Sequence, residues 1–395
     1  MVKVAIITPV YYPEIGGGAL ASYLIVNLLA KVKDLELTVL TGVRNPTKVK
    51  GVNYYYDPLL KIINKRFIPP SLLFERYENI LNKHEVVYIL YAFPLIPVAK
   101  KLNKRVIVHL HDYRPISPSA TVLARSDNLS SLRLLIEEFR VNLLQRKGFT
   151  NTARSIPNIA YTKLIREWVS MSDVILTASK RHAEIISKHM SECKNNIRVV
   201  YNPIPPIPSI RKKLNPTPTF LYVGGDDYIK GFHVLVKSIK QIIKRHPEVR
   251  FILAGYYGKK ALKALPRDGR IEVRGKVSHE QILRFHEEAW ALIFPSIAEE
   301  PCPYAVLEAL MMGTLPLASS VGGVPEIIEG TYAQQFLLPP GRYDKLTDAI
   351  EVVISCKKDY LERYLVPKLL DDFRTIYRHK FSEQKILKTL LSILS

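Results

Sequence analysis

The sequence is poor in cysteine, in long apolar runs and in acidic residues. Its three cysteines, Cys193, Cys302 and Cys356, are widely separated among 395 residues, which excludes a disulfide framework and a paired-thiol metal motif. No stretch of 18 consecutive apolar residues occurs, so no membrane-spanning helix is predicted. The chain opens on a strand-like run without the basic segment and apolar core of a signal peptide, which predicts a cytoplasmic protein.

Acidic residues number 36 against 57 lysines and arginines, giving a net charge of +21. This excess predicts attraction to nucleic acid, an anionic membrane or an acidic glycan. Residues 100–168 hold 13 basic and 5 acidic residues, and apolar residues recur at helical spacing over 129–147. That pattern indicates either a basic amphipathic helix on a membrane or a core-packed surface helix. Because no helix-turn-helix, zinc-finger or aromatic sheet motif is present, we predict no nucleic-acid partner.

Short apolar runs alternate with helical segments along the chain, the pattern of parallel, doubly wound α/β sheets. The first half is predicted to contain strands at Val2–Tyr11, Glu36–Thr41, Val86–Tyr91, Arg105–His111 and Val174–Ala178. The second half is predicted to contain strands at Phe220–Gly224, Arg250–Ala254, Ile271–Arg274, Ala291–Pro295 and Leu315–Ala318. The proline-rich stretch Tyr201–Ser209 between the halves predicts an extended linker, so the chain should form two domains.

Two glutamates eight residues apart mark the most informative segment. Glu300 lies in the predicted loop after the strand that ends at Pro295, and Glu308 lies on the predicted helix that follows. Both carboxylates should reach the strand-end crevice where open α/β sheets bind ligands, and they would suit a hydroxyl-rich ligand. The backbone amides around Cys302, Pro303 and Tyr304 are predicted to offer donors to a diphosphate.

The extended context of these glutamates resembles a known family. The run Glu300–Glu308, followed by Gly313–Pro316 and Gly322–Glu326, resembles the signature of retaining glycosyltransferases of family four, which have the GT-B fold. The resemblance implies two doubly wound Rossmann-like domains facing across a cleft. It also implies a nucleotide-diphosphate sugar as co-substrate, no further cofactor, a glycan or lipid-linked acceptor, and retention of the anomeric configuration.

The resemblance also guides the domain limits. We predict an acceptor-binding domain over 1–203 and a nucleotide-sugar-binding domain over 204–376. The terminal helix, 377–395, is expected to cross back to the first domain, as the resemblance implies. Contact between the basic stretch 129–147 and an anionic membrane would bring a lipid-linked acceptor to the enzyme.

Two motifs of the first half are site candidates. Gly16, Gly17 and Gly18 precede a predicted helix, where they form either a tight turn or an approach for an anion, and they lack the spacing of a dinucleotide fingerprint. By resemblance this loop lies beside the donor phosphates. A second cluster, His109–Asp112, ends a predicted strand. We assign no metal there. The resemblance matches His111 to the histidine near the reacting sugar, with His109 as the alternative. Asp112 would orient either the imidazole or the acceptor.

The second half opens with Gly224 and Gly225, followed by Lys230 before a predicted helix. Lys230 is placed to neutralise a diphosphate leaving group. Relatives usually carry Gly-Arg where this chain has Gly224-Gly225, so a second cation is missing; Arg274, at a strand end, and Lys276 are the candidate replacements. Putting arginine at position 225 is predicted to restore part of the activity lost by Lys230→Ala.

The remaining roles follow from the resemblance. Glu300 would hold the sugar hydroxyls and Glu308 the ribose hydroxyls, while Gly322 and Gly323 would allow close backbone approach to the phosphates or sugar. Other GT-B activities, such as a nucleotide-sugar epimerase or a glycan phosphorylase, and a non-catalytic sugar-binding scaffold are the alternatives.

Overall fold

The computed structural model describes residues 1–63, 66–124, 136, 137, 139–141, 143, 155–206 and 212–394. The chain forms two compact units. The first unit comprises Met1–Thr121, Phe149–Pro205 and Lys380–Ser395, and the second comprises Val122–Gly148 and Pro206–His379. Among the described residues, no helix is long and apolar enough to cross a membrane.

The first unit is built on a parallel sheet of seven strands. These are β1 (Val2–Thr8), β2 (Leu35–Thr41), β3 (Asn53–Tyr56), β4 (Val86–Ile89), β5 (Arg105–Leu110), β6 (Val174–Thr177) and β7 (Ile197–Val199). Their order across the sheet is β3-β2-β1-β4-β5-β6-β7. The central strands are apolar and fully buried because helices cover both faces of such a sheet, as the run Val4–Ile7 illustrates.

Seven helices of the described chain belong to this unit. They are α1 (Gly17–Leu29), α2 (Leu59–Ile63), α3 (Pro70–Leu81), α4 (Leu95–Lys101), α5 (Ser155–Ser170), α6 (Lys180–His189) and the last helix, Glu383–Leu394. The last helix packs against α1, and its buried residues Ile386, Leu390 and Ile393 join the cluster around β1 and β2. Apolar residues at three- and four-residue spacing therefore attach the chain end to the first unit.

The second unit has a parallel sheet of six strands. These are β8 (Thr219–Val223), β9 (Arg250–Ala254), β10 (Ile271–Gly275), β11 (Ala291–Phe294), β12 (Leu315–Ser319) and β13 (Leu337–Leu338), in the order β10-β9-β8-β11-β12-β13. Its helices before the last one are α7 (Phe232–Arg245), α8 (Lys259–Ala264), α9 (His279–Glu288), α10 (Tyr304–Met311), α11 (Val324–Ile328), α12 (Tyr343–Ser355), α13 (Lys358–Tyr360) and α14 (Val366–Ile376); the last helix of the chain is thus α15.

The observed units and the predicted domains differ by two or three residues at their limits and also at residues 122–124. Residues 122–124 fall within the predicted first domain, whereas they group with the second unit. The physical reason is a short antiparallel pairing in which Leu123 lies opposite Ala298. The Ala124 amide donates to the Ile297 carbonyl at 2.9 Å, and the Glu299 amide donates to the Val122 carbonyl at 2.8 Å. Sequence periodicity cannot indicate such a pairing across 175 residues of chain.

Most of the predicted amphipathic helix over 129–147, including Arg133, Arg146 and Lys147, lies outside the described residues. Within the described part, Ile136, Phe139 and Leu143 are each about half exposed. Arg140 pairs with Glu137 at 3.9 Å. Ile136, Phe139 and Leu143 are therefore not core-packed, whereas Val141 of the same stretch is buried.

Candidate functional site

Five neighbouring strands of the second unit bring their following loops to one edge of the sheet. Because β10, β9, β8, β11 and β12 are parallel, their carboxyl ends share that edge, where doubly wound sheets bind ligands. The loops carry most of the residues that the sequence singles out.

Lys230 and Glu300 form the central contact of this edge. Lys230 Nζ donates to Glu300 Oε1 at 2.6 Å, although the two residues are 70 positions apart in the chain. The lysine side chain is 35% exposed and the glutamate side chain 15%, so the pair is partly shielded from water. The buried Ser296 hydroxyl lies 3.2 Å from the same carboxylate oxygen and 3.0 Å from the Ile229 carbonyl. Ser296 thus ties the Glu300 loop to the segment that presents Lys230.

Gly322 and Gly323 hold the backbone of the Glu300 loop. The Gly323 amide donates to the Glu300 carbonyl at 2.8 Å, and the Gly322 amide donates to the buried Glu299 carboxylate. Gly322 has φ +50°, and a Cβ there would lie 2.0 Å from the Glu300 carbonyl oxygen. The close approach that requires glycine is therefore to the protein backbone. Sequence reasoning missed Glu299, because it selected the adjacent Glu300 instead.

Glu308 contacts a residue that the sequence analysis did not single out. His279 Nε2 lies 2.7 Å from Glu308 Oε1, and the glutamate side chain is only 6% exposed. The hydrogen bond to Glu308 raises the pKa of His279 above its usual 6.5, against the opposing effect of burial. A signal for His279 did exist: Ser278 and Gln281 have capping-box spacing, which predicts a helix start at this histidine.

Gly224 and Gly225 pack too closely against their neighbours to admit side chains. A Cβ on Gly224 would lie 2.5 Å from the Tyr222 hydroxyl. Gly225 has φ +63°, and its Cβ would lie 2.6 Å from the Tyr256 carbonyl oxygen. That carbonyl also accepts from the Asp226 amide at 2.9 Å, so it is fixed. This backbone therefore disfavours an arginine at position 225, which argues against the expected recovery of activity in the Lys230→Ala variant.

We expect Gly225→Arg to destabilise the second unit and to leave activity lower. The left-handed conformation and the backbone overlap together predict a loss of roughly 2–4 kcal/mol. Gly330→Arg is the matched control, because Gly330 also has a positive φ, +80°, but nothing within 4 Å of its Cβ position. Denaturant unfolding of both variants measures the difference. Equal free energies of unfolding for Gly225→Arg and Gly330→Arg would show that the contact with the Tyr256 carbonyl does not lower stability.

The two candidate replacements for the missing cation lie at and after the end of β10. Arg274 pairs with Glu272 on the same strand and is half exposed. Lys276 Nζ lies 5.8 Å from the centre of the exposed Tyr256 ring. Among the described cations, Lys230 is the one that contacts Glu300. Arg274 is therefore engaged elsewhere, and Lys276 lies beside an aromatic ring next to the Gly225 loop.

Helix α10 begins at Tyr304 after two prolines, and this limits its backbone donors. Pro303 is the residue before the helix, and its carbonyl accepts from the Val306 amide at 3.2 Å. Neither Pro301 nor Pro303 has a backbone N–H. The predicted amide donors of this loop therefore reduce to those of Cys302, Tyr304 and the residues that follow, and Pro303 contributes none.

In the first unit, Gly17 and Gly18 begin α1 after Gly16, which has φ +139°. A Cβ on Gly18 would lie 2.1 Å from the hydroxyl of Tyr91. Tyr91 follows β4 and is itself in the left-handed region, with φ 68°. Because residue 18 is glycine, the Tyr91 hydroxyl can lie against the first turn of α1. That turn contains no acidic residue.

His111 follows β5 and stacks on His109, with ring centres 4.3 Å apart. Burial lowers the pKa of His111 to about 4, so its ring is neutral at pH 7. His109 is fully buried and its Nδ1 lies 2.7 Å from the Tyr88 hydroxyl. Among the described residues, Nε2 of each ring has no hydrogen-bond partner. A neutral imidazole with an unused polar nitrogen can accept or donate a hydrogen bond without adding charge.

Asp112 does not orient either histidine through its carboxylate. That carboxylate pairs with Arg114, at 3.0 Å, while its backbone carbonyl lies 3.2 Å from His182 Nε2. His182 lies in the first turn of α6, which the hydroxyl of Ser179 caps at 3.2 Å. Burial lowers the pKa of His182 to about 3. Because sequence reasoning had no pattern linking His182 to β5, this third neutral histidine was missed.

The second unit matches a known family model. Residues 206–364 match the model for glycosyl transferases group 1. The match covers most of the second unit. The chain is 29% identical over 236 residues to the Schizosaccharomyces pombe phosphatidylinositol N-acetylglucosaminyltransferase gpi3 subunit, covering 54% of this chain and 46% of the relative. It is 24% identical to an uncharacterized glycosyltransferase of Methanocaldococcus jannaschii, covering 52% and 59%. The chain thus spans about half the length of these curated relatives.

Solved structures share the fold over the whole chain. HepE of Anabaena, in complex with UDP and glucose, matches with a TM-score of 0.67 and 15% identity, covering 100% of this chain and 99% of that one. Sucrose-phosphate synthase of Thermosynechococcus elongatus matches with a TM-score of 0.68 and 17% identity, covering 100% and 98%. Identities this low show the fold alone. With its two parallel sheets flanked by helices, the chain has the predicted GT-B fold.

Proposed function

We propose that the protein is a glycosyltransferase that moves a sugar from a nucleotide-diphosphate sugar to a hydroxyl group of a glycan or lipid-linked acceptor. The observation that carries the proposal is the Lys230–Glu300 pair at the ligand-binding edge of a glycosyl transferases group 1 domain. A carboxylate for sugar hydroxyls and a cation for a leaving phosphate are the two groups that this reaction needs side by side.

The chemistry separates a phosphate from the anomeric carbon while an acceptor hydroxyl bonds to that carbon. Negative charge grows on the departing diphosphate, and Lys230 stabilises it, together with the amides of Cys302 and Tyr304. Interactions that strengthen in the transition state raise kcat, so Lys230 and Glu300 act on turnover. Because a lysine supplies the cation, we propose that transfer needs no divalent metal. The likeness to retaining enzymes supports retention of configuration.

The nucleotide is held by groups that contribute equally before and during the reaction. Glu308 binds the ribose hydroxyls, and the loop Arg274–Ser278 borders the base. The resemblance assigns His111 and the Gly17–Gly18 turn of the first unit to the reacting sugar and the phosphates. His111 is neutral at pH 7, since burial lowers its pKa, and it therefore serves as a hydrogen-bond partner without charge.

The acceptor proposal rests on charge and on one relative. The chain carries a net charge of +21, and three apolar residues of the stretch 129–147, Ile136, Phe139 and Leu143, are exposed. Cations near an anionic surface contribute about 1 kcal/mol each and are screened by salt. The gpi3 relative is named for transfer to phosphatidylinositol. We therefore propose a cytoplasmic enzyme that binds reversibly to the inner face of a membrane when its acceptor is a lipid.

A transfer assay tests this proposal. The purified full chain is incubated with UDP-, GDP- and ADP-sugars, each with phosphatidylinositol in anionic or neutral vesicles or with soluble glycans. We expect release of nucleoside diphosphate that depends on the acceptor, is unchanged by a metal chelator, and falls at least about tenfold in Glu300→Gln. Anionic vesicles at low salt should give the fastest transfer.

Other outcomes of the same assay would contradict the proposal. Conversion of the donor sugar without an acceptor would indicate an epimerase. Binding of a nucleoside diphosphate, seen as a raised melting temperature without turnover of any donor, would indicate a sugar-binding scaffold. Transfer to soluble glycans with no vesicle binding would remove the membrane role alone.

A further inference from the structure

His279 is the partner of the carboxylate to which ribose binding is assigned above. Its Nε2 lies 2.7 Å from Glu308 Oε1. Among the described residues, no second hydrogen-bond partner of the Glu308 side chain is found. One oxygen of this nearly buried carboxylate is thus committed to His279, and the other remains for a ligand. A carboxylate can accept several hydrogen bonds, so the two uses are compatible.

The histidine is itself held in place by the start of α9. Ser278 caps this helix, its hydroxyl accepting from the Gln281 amide at 3.2 Å while the Gln281 side chain accepts from the Ser278 amide at 2.9 Å. This capping box fixes the backbone on which His279 stands. The imidazole therefore reaches Glu308 from a rigid element, as a positioning group requires.

The contact persists against two opposing effects. A positive group at a helix N-terminus is disfavoured by the helix dipole, and burial also disfavours a charged imidazole. The pKa of His279 is nevertheless raised, and its hydrogen bond to Glu308 is the largest cause. The neighbouring His286, on the same helix, is fully buried, and burial lowers its pKa to about 3. His286 is therefore neutral and does not compete for the carboxylate.

We propose that His279 is a positioning residue of the nucleotide site, which fixes the Glu308 carboxylate so that its second oxygen meets the ribose hydroxyls. This inference rests on the proposed donor function. Ribose contacts are equal in ground state and transition state, so His279 should affect nucleotide affinity and leave kcat nearly unchanged. It should also act only on ligands that have the ribose hydroxyls.

Calorimetric titration with UDP, GDP and ADP tests the proposal. Whichever diphosphate the unmodified protein binds best becomes the probe. We expect His279→Ala to weaken its binding about tenfold. His279→Gln should restore most of the affinity, because the glutamine amide nitrogen can take the place of Nε2. The 2′,3′-dideoxy form of the same diphosphate should bind all three proteins alike, since it has no ribose hydroxyls to meet Glu308.

A matched control is His246→Ala, which removes another histidine–glutamate pair, 3.5 Å to Glu248, at the end of α7. The affinity of His246→Ala for the nucleoside diphosphate should equal that of the unmodified protein. Full affinity in His279→Ala would overturn the proposal, and so would equal losses for the normal and dideoxy ligands, which would indicate a purely structural role. If the unmodified protein binds none of the three diphosphates, the proposed donor function fails instead.

Discussion

Replacing Lys230 with alanine lowers the turnover number of sugar transfer at saturating donor by roughly 10- to 100-fold. A charge-assisted hydrogen bond contributes about 1.5–3 kcal/mol, and the lysine contact to a leaving phosphate strengthens as negative charge develops. The substitution also leaves Glu300 without its cation, because Lys230 Nζ lies 2.6 Å from Glu300 Oε1. We expect this second effect to add to the loss of turnover. Steady-state kinetics with the donor identified by the transfer assay measures this result.

The matched control is Lys237→Ala, which removes a cation from α7, the helix that follows Lys230. Lys237 Nζ lies 5.3 Å from the centre of the Tyr343 ring, outside the candidate site. Its removal should change turnover less than twofold, within the range of about 0.5 kcal/mol expected for surface substitutions. Unchanged turnover in Lys230→Ala would contradict the leaving-group role of this lysine.

A double-mutant cycle shows whether Lys230 and Glu300 act as one unit. Contacting residues give interaction energies of about 0.5–3 kcal/mol, so the variant lacking both should be less impaired than the product of the single losses. Strict additivity would mean that the 2.6 Å contact between them has no part in catalysis.

The positions of most strands in both sheets could be predicted from apolar runs in the sequence. Apolar runs locate β4, β5, β9 and β11 at their observed first residues. The last residue of each strand is harder to predict from the sequence, because the residues that follow the strand are also buried. Leu90 and Tyr91 remain buried after β4 ends at Ile89, although the backbone of Tyr91 has already turned to φ 68°. Hydropathy reports burial, whereas a strand end depends on backbone geometry.

Three strands were missed for physical reasons. Strand β3 lies at the edge of its sheet and is largely exposed, so it lacks an apolar run. Strands β7 and β13 contain three and two residues, too few to show any periodicity. Short or exposed edge strands owe their existence to the neighbouring strand rather than to their own composition.

The candidate site also contains residues that could be predicted from the sequence and residues that could not. Glu300, Glu308 and Lys230 could be selected from residue type and neighbouring motifs. Their partners could not, because His279 meets Glu308 across 29 residues and Lys230 meets Glu300 across 70. The restriction at Gly225 was equally hidden, since it arises from the carbonyl of Tyr256 on the next strand's loop. Distances of this kind are set by the sheet and not by local sequence.

Gly322→Ala provides the sharpest stability test of the Glu300 loop. An added Cβ would lie 2.0 Å from the Glu300 carbonyl oxygen and 2.4 Å from its amide nitrogen, so the loop or the glycine must move. Overlap with fixed backbone and a left-handed conformation together predict a loss of roughly 2–5 kcal/mol in the free energy of unfolding. Because the displaced loop carries Glu300, sugar transfer should fall more than nucleotide binding.

The matched variant Gly330→Ala separates the two causes. Gly330 has φ +80° and nothing within 4 Å of its Cβ position, so its alanine variant incurs only the conformational cost, about 1–2 kcal/mol. Chemical denaturation of both variants, with turnover measured on the folded protein, compares them. If Gly322→Ala is no less stable than Gly330→Ala and turns over normally, the Glu300 loop does not depend on its close packing against Gly322. If instead only Gly322→Ala loses turnover, the close packing of the Glu300 backbone against Gly322 sets the position of the Glu300 side chain that catalysis needs.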